Sequence, residues 1–364
     1  MTQVLHIMAC ADAGGISSVV LNYYRFLDRT RIHFDIALTV PQAGQNAHAL
    51  EDLGAGIYYL PLKSQGMKAF RDGLRALLRK KQYDAIHVHE SETCYVALMV
   101  AKQMGVPIRI AHAHTCSPWE GVKGEIRRLS GCLLNYPVAT HVIGCGQKAG
   151  ERVFGKWNMK RPKALVLPNA IDTQKFAFDP AVRQELRQQW DAENKLVLGM
   201  VGRLCPEKNY PFALELADRL RRENPESMLV IAGNGESLEA IQAQIRALDL
   251  EDHVLLLGRR ADVERLYQAF DIFLLPSFTE GYPVAAVEAL SAGLPTLLSN
   301  AVTEELEFAT GAEYLPLDQP EAWLRAIDRW QSDTGRTVRQ TEPEANGLDI
   351  RSCAQRLEKI YLEG

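Results

Sequence analysis

Residues 272–292 read IFLLPSFTEGYPVAAVEALSA. The run Ile272–Leu275 is strand-like, Pro276–Pro283 is a turn rich in Ser, Thr, Gly and Pro, and Val284–Ala292 is apolar at helical spacing. A chain that leaves a strand through such a turn and starts a helix presents the helix's unpaired N–H groups beyond the strand's carboxyl end. Glu280 lies in the turn and Glu288 one turn into the helix. A Glu pair at that spacing arises easily by chance. In this loop–helix setting it places two carboxylates where the hydroxyls of a sugar or a ribose would donate to them.

The same unit repeats in both directions along the chain. Apolar runs Leu196–Val201, Met228–Ala232, Val254–Leu257 and Thr296–Ser299 alternate with helical patterns Pro211–Glu223, Leu238–Leu248 and Val263–Phe270. Further upstream the runs are Val4–Met8, Phe34–Thr39, Ile57–Leu60, Ala85–Val88, Ile108–Ala111, His141–Gly144 and Ala164–Leu167. Between them lie the amphipathic stretches Ser17–Leu27, Lys68–Lys81, Cys94–Met104 and Val122–Leu134. This βαβ rhythm predicts an α/β fold of two doubly wound parallel sheets, each covered on both faces. We expect an N-terminal domain over 1–168 and a second over 169–349. A closing helix within 350–364 is expected to pack back on the first. The polar stretch Ser332–Gly347 is expected to run over the surface. Open α/β sheets bind ligands beyond the carboxyl ends of their strands, so two such domains facing each other predict a site in the cleft between them.

Composition narrows the function classes. The 364 residues are 47% hydrophobic and 24% charged, and no apolar run approaches the roughly 18 residues of a membrane span. Residues 1–15 lack a basic segment followed by an apolar one, so no secretory signal is expected. Seven scattered cysteines without a CxxC pair fit a reduced, cytoplasmic protein. The net charge of −4 is uneven: residues 1–168 hold 21 basic and 12 acidic side chains, the remainder 20 and 33. Two basic amphipathic segments lie in the positive half. Lys68–Lys81 carries Arg71, Arg75 and Arg79 on one face, and Trp119–Leu134 carries Lys123, Arg127 and Arg128. Either they rest on an anionic membrane surface or they are simply solvated. Nothing suggests a nucleic-acid partner.

Other candidates stand at strand ends. Gly14-Gly15 opens a helix and lets backbone approach a phosphate, although a plain tight turn reads the same. Gly202-Arg203 and Lys208 supply a planar fork and a point charge that suit a diphosphate; without neighbours they would be surface charges. Gly233-Asn234-Gly235 could pass close to a base or ribose, or be only a turn. His112-Ala113-His114-Thr115 and His87-Val88-His89-Glu90 invite a metal. The other histidines, His6 among them, form no cluster readable from spacing, and the chain has no Asp-x-Asp. No metal and no cofactor are expected, and His114 is read as a sugar or acceptor contact.

Taken in order, Gly14-Gly15, Ala113-His114-Thr115, Pro168–Asp172, Gly202-Arg203 with Glu207–Asn209, Ala232–Gly235 and Pro276–Pro295 resemble glycosyltransferase family 4 across nearly the whole chain. The resemblance implies the GT-B fold and a retaining, metal-independent transferase. The donor would be a nucleotide-sugar, a UDP-sugar by family analogy, and the acceptor a glycan or lipid-linked chain of surface polysaccharide or glycolipid assembly. It implies that Arg203 and Lys208 hold the diphosphate with backbone of Gly281, Tyr282, Pro283 and Val284, and that Glu288 holds the ribose. Glu280 and His114 would contact the sugar. Gly14, Gly15, Gly233, Asn234 and Gly235 would line the donor site. Asn209 and Ala170 stand where glycine is usual. A nucleotide-sugar epimerase of the same fold and a silent binding module are the alternatives.

Overall fold

The computed structural model describes residues 1–12, 15–40, 44–114, 121–333 and 335–364. Within them the apolar runs form β1 (Thr2–Met8), β2 (Ile32–Leu38), β3 (Gly56–Tyr59), β4 (Ala85–Val88), β5 (Ile108–Ala113), β6 (His141–Gly144) and β7 (Ala164–Val166). These are followed by β8 (Leu196–Val201), β9 (Ser227–Ala232), β10 (Val254–Gly258), β11 (Ile272–Leu275), β12 (Thr296–Ser299) and β13 (Ala312–Leu315). The first seven make one sheet in the order β3-β2-β1-β4-β5-β6-β7, the other six a second in the order β10-β9-β8-β11-β12-β13. All neighbouring pairs are parallel. Strands β4, β11 and β12 are buried on both faces, and β11 (IFLL) accordingly reads as an unbroken apolar run rather than an alternating one.

The chain divides into two compact units, Met1–Ala170 with Ile350–Gly364, and Ile171–Asp349. Each is a doubly wound, Rossmann-like α/β domain. In each, the strand order reverses beside the first strand, between β1 and β4 and between β8 and β11. There the helices that follow neighbouring strands leave on opposite faces and open a crevice at the carboxyl ends. The sequence motifs lie at the carboxyl ends of β1, β4, β5, β8, β9 and β11.

In the first unit, alternate residues divide between two cores. Val4, Phe34, Ile36, Ala85, Ile108 and Ile110 face the helices Gly15–Phe26 and Ile350–Glu363. Leu5, Ile7, Ile86, Val88 and Ala111 face the helices Met67–Lys80 and Cys94–Gln103. The helix Ile350–Glu363 buries Ile350, Cys353, Ala354, Leu357 and Tyr361, a stripe at helical spacing. It is fastened at its rim by Arg356, which donates to the Val166 carbonyl, and by Glu358, which accepts from the Asp28 N–H at 2.6 Å. In the helix Met67–Lys80, Phe70, Leu74, Leu77 and Leu78 are buried, while Arg71 and Arg79 are exposed and Arg75 bonds Asp72 and Gln103. Gly73 sits inside this helix despite its poor propensity because a Cβ would lie 2.7 Å from Pro61 Cδ.

In the second unit the structure adds one element and corrects one expectation. Soon after the domain join lies a helix, Pro180–Gln189, whose N-cap Asp179 accepts from the Ala181 and Val182 N–H groups at 2.8 and 3.3 Å. Asp followed by Pro is a helix-start signal that the sequence reading passed over. The stretch 332–347 does not merely run over the surface. It contains short helices Arg336–Arg339 and Glu342–Ala345 and sends two arginines inward. Arg339 is buried and bonds Asp333 and the Gly293 carbonyl. Arg336 donates to the carbonyls of Tyr267, Gln268, Phe270 and Ala292. Burial lowers its pKa to about 9, so it stays charged at neutral pH. The two arginines satisfy backbone oxygens that helix ends leave open.

Candidate functional site

At the β8/β11 switch point two loops are tied together. After β8 the chain passes Gly202-Arg203 and enters a single turn, Pro206–Lys208. After β11 it passes Ser277 and Glu280 to the helix Val284–Ser291. The Phe278 N–H donates to the Glu207 carbonyl at 2.8 Å. Lys208 Nζ donates to Glu280 Oε1 at 2.7 Å, and the Ser277 hydroxyl donates to the same oxygen at 2.7 Å. The Lys208 and Glu280 side chains are 19% and 13% exposed, which gives this ion pair weight that a solvated one lacks. Glu280 is therefore held through one oxygen by both Lys208 and Ser277. Asn209, next in the chain, has φ 54° and ψ 47°, left-handed backbone that asparagine tolerates better than other non-glycine residues. That explains a residue other than glycine at this position.

Arg203 does not join Lys208. Its side chain is 72% exposed and pairs with Glu236 at 3.0 Å, while Lys208 is spent on Glu280. The two cations expected to converge thus have separate partners in this structure. The Val284 N–H, expected among the free donors of the turn, bonds the Tyr282 carbonyl at 2.9 Å. Pro283 is the helix cap and Tyr282 is buried.

Glu288 accepts from the Tyr267 hydroxyl at 2.7 Å. Burial raises its carboxyl pKa to about 7, against smaller downward pulls from Tyr267, Lys175 and Lys208. A carboxyl whose folded pKa lies above its unfolded one favours folding below the unfolded value, and that gain is lost as pH rises through the folded value. Glu288→Gln should therefore match the wild type in Tm near pH 5 and exceed it at pH 8. A Tm difference that stays constant across that range would count against a buried, protonatable Glu288.

The loops after β8 and β9 are zipped. Leu204 N–H donates to the Asn234 carbonyl at 3.0 Å, Ser237 N–H to the Leu204 carbonyl at 2.9 Å, and Gly235 N–H to Asn234 Oδ1 at 2.9 Å. A Cβ on Gly233 would overlap the Gly202 carbonyl oxygen, and one on Gly235 the backbone of Leu204. These glycines are needed for the two loops to touch, whether or not a ligand also lies against them.

In the first unit, Gly15 begins the helix Gly15–Phe26 with φ 58°; Gly14, and with it Thr115 and Trp119, lies outside the described residues. The larger finding is at the ends of β1, β4 and β5. His6, His87, His89, His112 and His114 lie together on the sheet face covered by the helix Ile350–Glu363. The expectation that His6 stands apart is thus corrected: residues two apart on a strand share a face, and these three strands are neighbours. His6 Nδ1 and His89 Nε2 are 3.0 Å apart, His89 Nδ1 and His114 Nε2 2.8 Å, and His87 Nε2 and His112 Nδ1 3.0 Å. The Tyr361 hydroxyl meets His87 Nδ1 at 2.6 Å and His6 Nε2 at 3.4 Å. His112 Nε2 and His114 Nδ1, both buried, have no partner among the described residues. Burial lowers His6 to about 3 and His114 to about 4, the latter against a small upward pull from Asn169. His87, His89 and His112 lie well below the usual histidine value for the same cause, helped by neighbouring rings. All five are neutral at pH 7. Two triads, His6–His87–His89 and His89–His112–His114, could each offer three ring nitrogens to a metal ion, although eight of the ten nitrogens already have hydrogen-bond partners.

The sequence reading did not single out Tyr267, Ser277 or Tyr361. Tyr267 and Tyr361 act through contacts between elements, for which no local signal exists, whereas Ser277 bonds Glu280 within the same loop.

Comparison with known proteins gives a consistent picture. The family described as Glycosyltransferase Family 4 matches residues 13–175, and Glycosyl transferases group 1 matches residues 182–345. The chain is 32% identical to EpsF of Bacillus subtilis (strain 168), named a glycosyltransferase, over 99% of this chain and 96% of that one. It is 27% identical to the UDP-Gal:alpha-D-GlcNAc-diphosphoundecaprenol alpha-1,3-galactosyltransferase of Escherichia coli, over 98% and 92%. Among solved structures, Anabaena Alr3699/HepE in complex with UDP-glucose superposes with a TM-score of 0.80 at 20% identity, covering 99% of each chain.

Proposed function

Because the chain belongs to glycosyltransferase family 4 and is a transferase of GT-B fold, we propose that it moves a hexose or N-acetylhexosamine from a UDP-sugar to a glycan or lipid-linked acceptor, with retention and without a metal ion. The observation that carries this reading is the Lys208–Glu280–Ser277 constellation at the β8/β11 switch point. The donor class is supported by the UDP-glucose bound in the similar structure and by the UDP-Gal in the name of the Escherichia coli relative. The latter's diphosphoundecaprenol acceptor supports a lipid-linked one here.

In this mechanism the bond from the anomeric carbon to the diphosphate breaks while the acceptor oxygen attacks from the same face. The acceptor's proton passes to a phosphate oxygen. Lys208 and Arg203 carry the charge that develops on the leaving group, Arg203 exchanging Glu236 for phosphate. Glu280 and His114 hold the sugar, and Glu288 accepts from ribose hydroxyls. The site glycines and Tyr282–Val284 line the donor. The test is thermal stabilisation by UDP-, GDP- and ADP-sugars, with and without chelator, followed by the anomeric configuration of the product. A chelator-insensitive shift with UDP-sugars and a retained anomer are expected. No shift with any of them, or an inverted product, would overturn the reading.

Among the described residues no helix is long and apolar enough to cross a membrane. The helix Gly121–Val138 nevertheless exposes Val122, Ile126, Leu129 and Leu133, at 77, 63, 49 and 63%, along one stripe. That stripe, with the basic helix Met67–Lys80, supports peripheral docking on the anionic inner face of the cell membrane. Co-sedimentation with anionic vesicles at low salt is expected, and its absence would remove the membrane from the proposal.

A further inference from the structure

The five histidines and Tyr361 form a single chain of hydrogen bonds in which each link fixes the next. A neutral imidazole has one N–H and one bare nitrogen, and a phenol has one proton to give. Let His114 Nε2 donate to His89 Nδ1. His89 Nε2 must then carry its ring's proton and donate to His6 Nδ1, and His6 Nε2 must donate to the Tyr361 oxygen. The Tyr361 hydroxyl then donates to His87 Nδ1, and His87 Nε2 donates to His112 Nδ1. All five rings are Nε2–H tautomers. Reversing the first link reverses every other, and all five become Nδ1–H tautomers. A mixture within either segment sets two bare nitrogens, or two N–H groups, against each other about 3 Å apart. A mixture across Tyr361 leaves either the phenol's proton without an acceptor or one facing nitrogen without a donor. Inside the core an unmade hydrogen bond costs on the order of 1–3 kcal/mol.

From this geometry we infer that the cluster has two collective states, and that Tyr361, on the helix Ile350–Glu363, is the positioning residue that couples them and so ties the tautomer of His114 to the far end of the chain. The inference rests on His114 being a ligand contact, as proposed above. In one state His114 turns a bare Nδ1 and His112 an N–H to their surroundings; in the other the roles are exchanged. A ligand group that donates to His114 selects the first state, and one that accepts selects the second. The buried nitrogens at the two ends of the chain, His112 Nε2 and His114 Nδ1, the latter ring with Asn169 beside it, are where that choice is made.

The experiment is two-bond ¹H–¹⁵N correlation on protein labelled at the histidine side chains, in the absence of donor and acceptor, for wild type and Tyr361→Phe. In the wild type the five cluster rings should be neutral at pH 7 and alike in tautomer. Tyr361→Phe keeps the ring's packing and removes the link, leaving His6–His89–His114 and His87–His112 as separate segments. Each should then turn its bare nitrogen to the phenyl ring, so that the first carries Nδ1–H and the second Nε2–H. One segment therefore reverses relative to wild type, which a purely structural tyrosine would not cause. Unlike tautomers in the wild type, five rings still alike in Tyr361→Phe, or one equivalent of zinc bound to these nitrogens in the purified protein would each overturn the inference. Because no sugar nucleotide is present, such a result leaves the transferase proposal standing. The wild-type spectrum tests the first half even if the variant does not fold.

Discussion

Glu280→Gln should lower kcat/KM for sugar transfer by about 10³-fold while leaving the Kd for free UDP nearly unchanged. Gln keeps the size and one oxygen of Glu280, so the turn Pro276–Pro283 retains its shape and the Ser277 hydroxyl its acceptor. The negative charge is lost, and with it the ion pair that fixes Lys208 at 2.7 Å. Under the proposed mechanism positive charge develops on the sugar only as the bond to the diphosphate breaks. The loss thus falls on kcat rather than on nucleotide binding. Lys208→Met should cost transfer as well, and the double variant should cost less than the two combined, because the residues act as a pair. Initial rates and UDP titrations of the three variants measure this. Full activity in Glu280→Gln would remove the residue from the reaction, and a parallel loss of UDP binding would mean that it serves the fold of the site.

Arg336→Met should lower the stability of the second unit by about 3–5 kcal/mol, because it strips a charged partner from several buried acceptors at once. The guanidinium serves the carbonyls of Tyr267, Gln268, Phe270 and Ala292. Arg183 also donates to those of Gln268 and Phe270, so the loss falls hardest on Tyr267 and Ala292. For a domain of this size the corresponding fall in Tm is roughly 10 °C. Ala292 caps the helix Val284–Ser291, which carries Glu288, and Tyr267 donates to Glu288. Hydrogen exchange should therefore accelerate first in that helix and in Val263–Ala269. A Tm within about 2 °C of wild type would show that water replaces the arginine without loss.

These two residues mark how unevenly the sequence can be read. Glu280 was legible because strand, turn and helix follow one another within twenty-one residues. The strand–helix alternation was legible for the same reason, since parallel strands buried on both faces are apolar without interruption. Arg336 was not, because its stretch is polar and its four partners come from the other side of the unit. The strand β13 was passed over because it is only part-buried and its run AEYL contains a charge. His87-Val88-His89 and His112-Ala113-His114 were visible as repeats of one spacing. That they face His6 follows only once the order β1-β4-β5 is known. Asn209, a departure from glycine in the sequence, became intelligible from its left-handed backbone.

The segment Ile350–Gly364 completes the first unit although it is encoded after the second. On the ribosome, residues 171–349 emerge as a contiguous piece and can fold as soon as they clear the exit. The first unit emerges earlier yet must wait, with Phe34, Tyr24 and the helix Gly15–Phe26 lacking the apolar cover of Leu357 and Tyr361. Its histidines meanwhile lack the phenol that joins them. Nascent chains stalled short of residue 350 would thus hold a complete second unit and a first unit still exposing apolar surface, a state prone to aggregation until the last helix emerges.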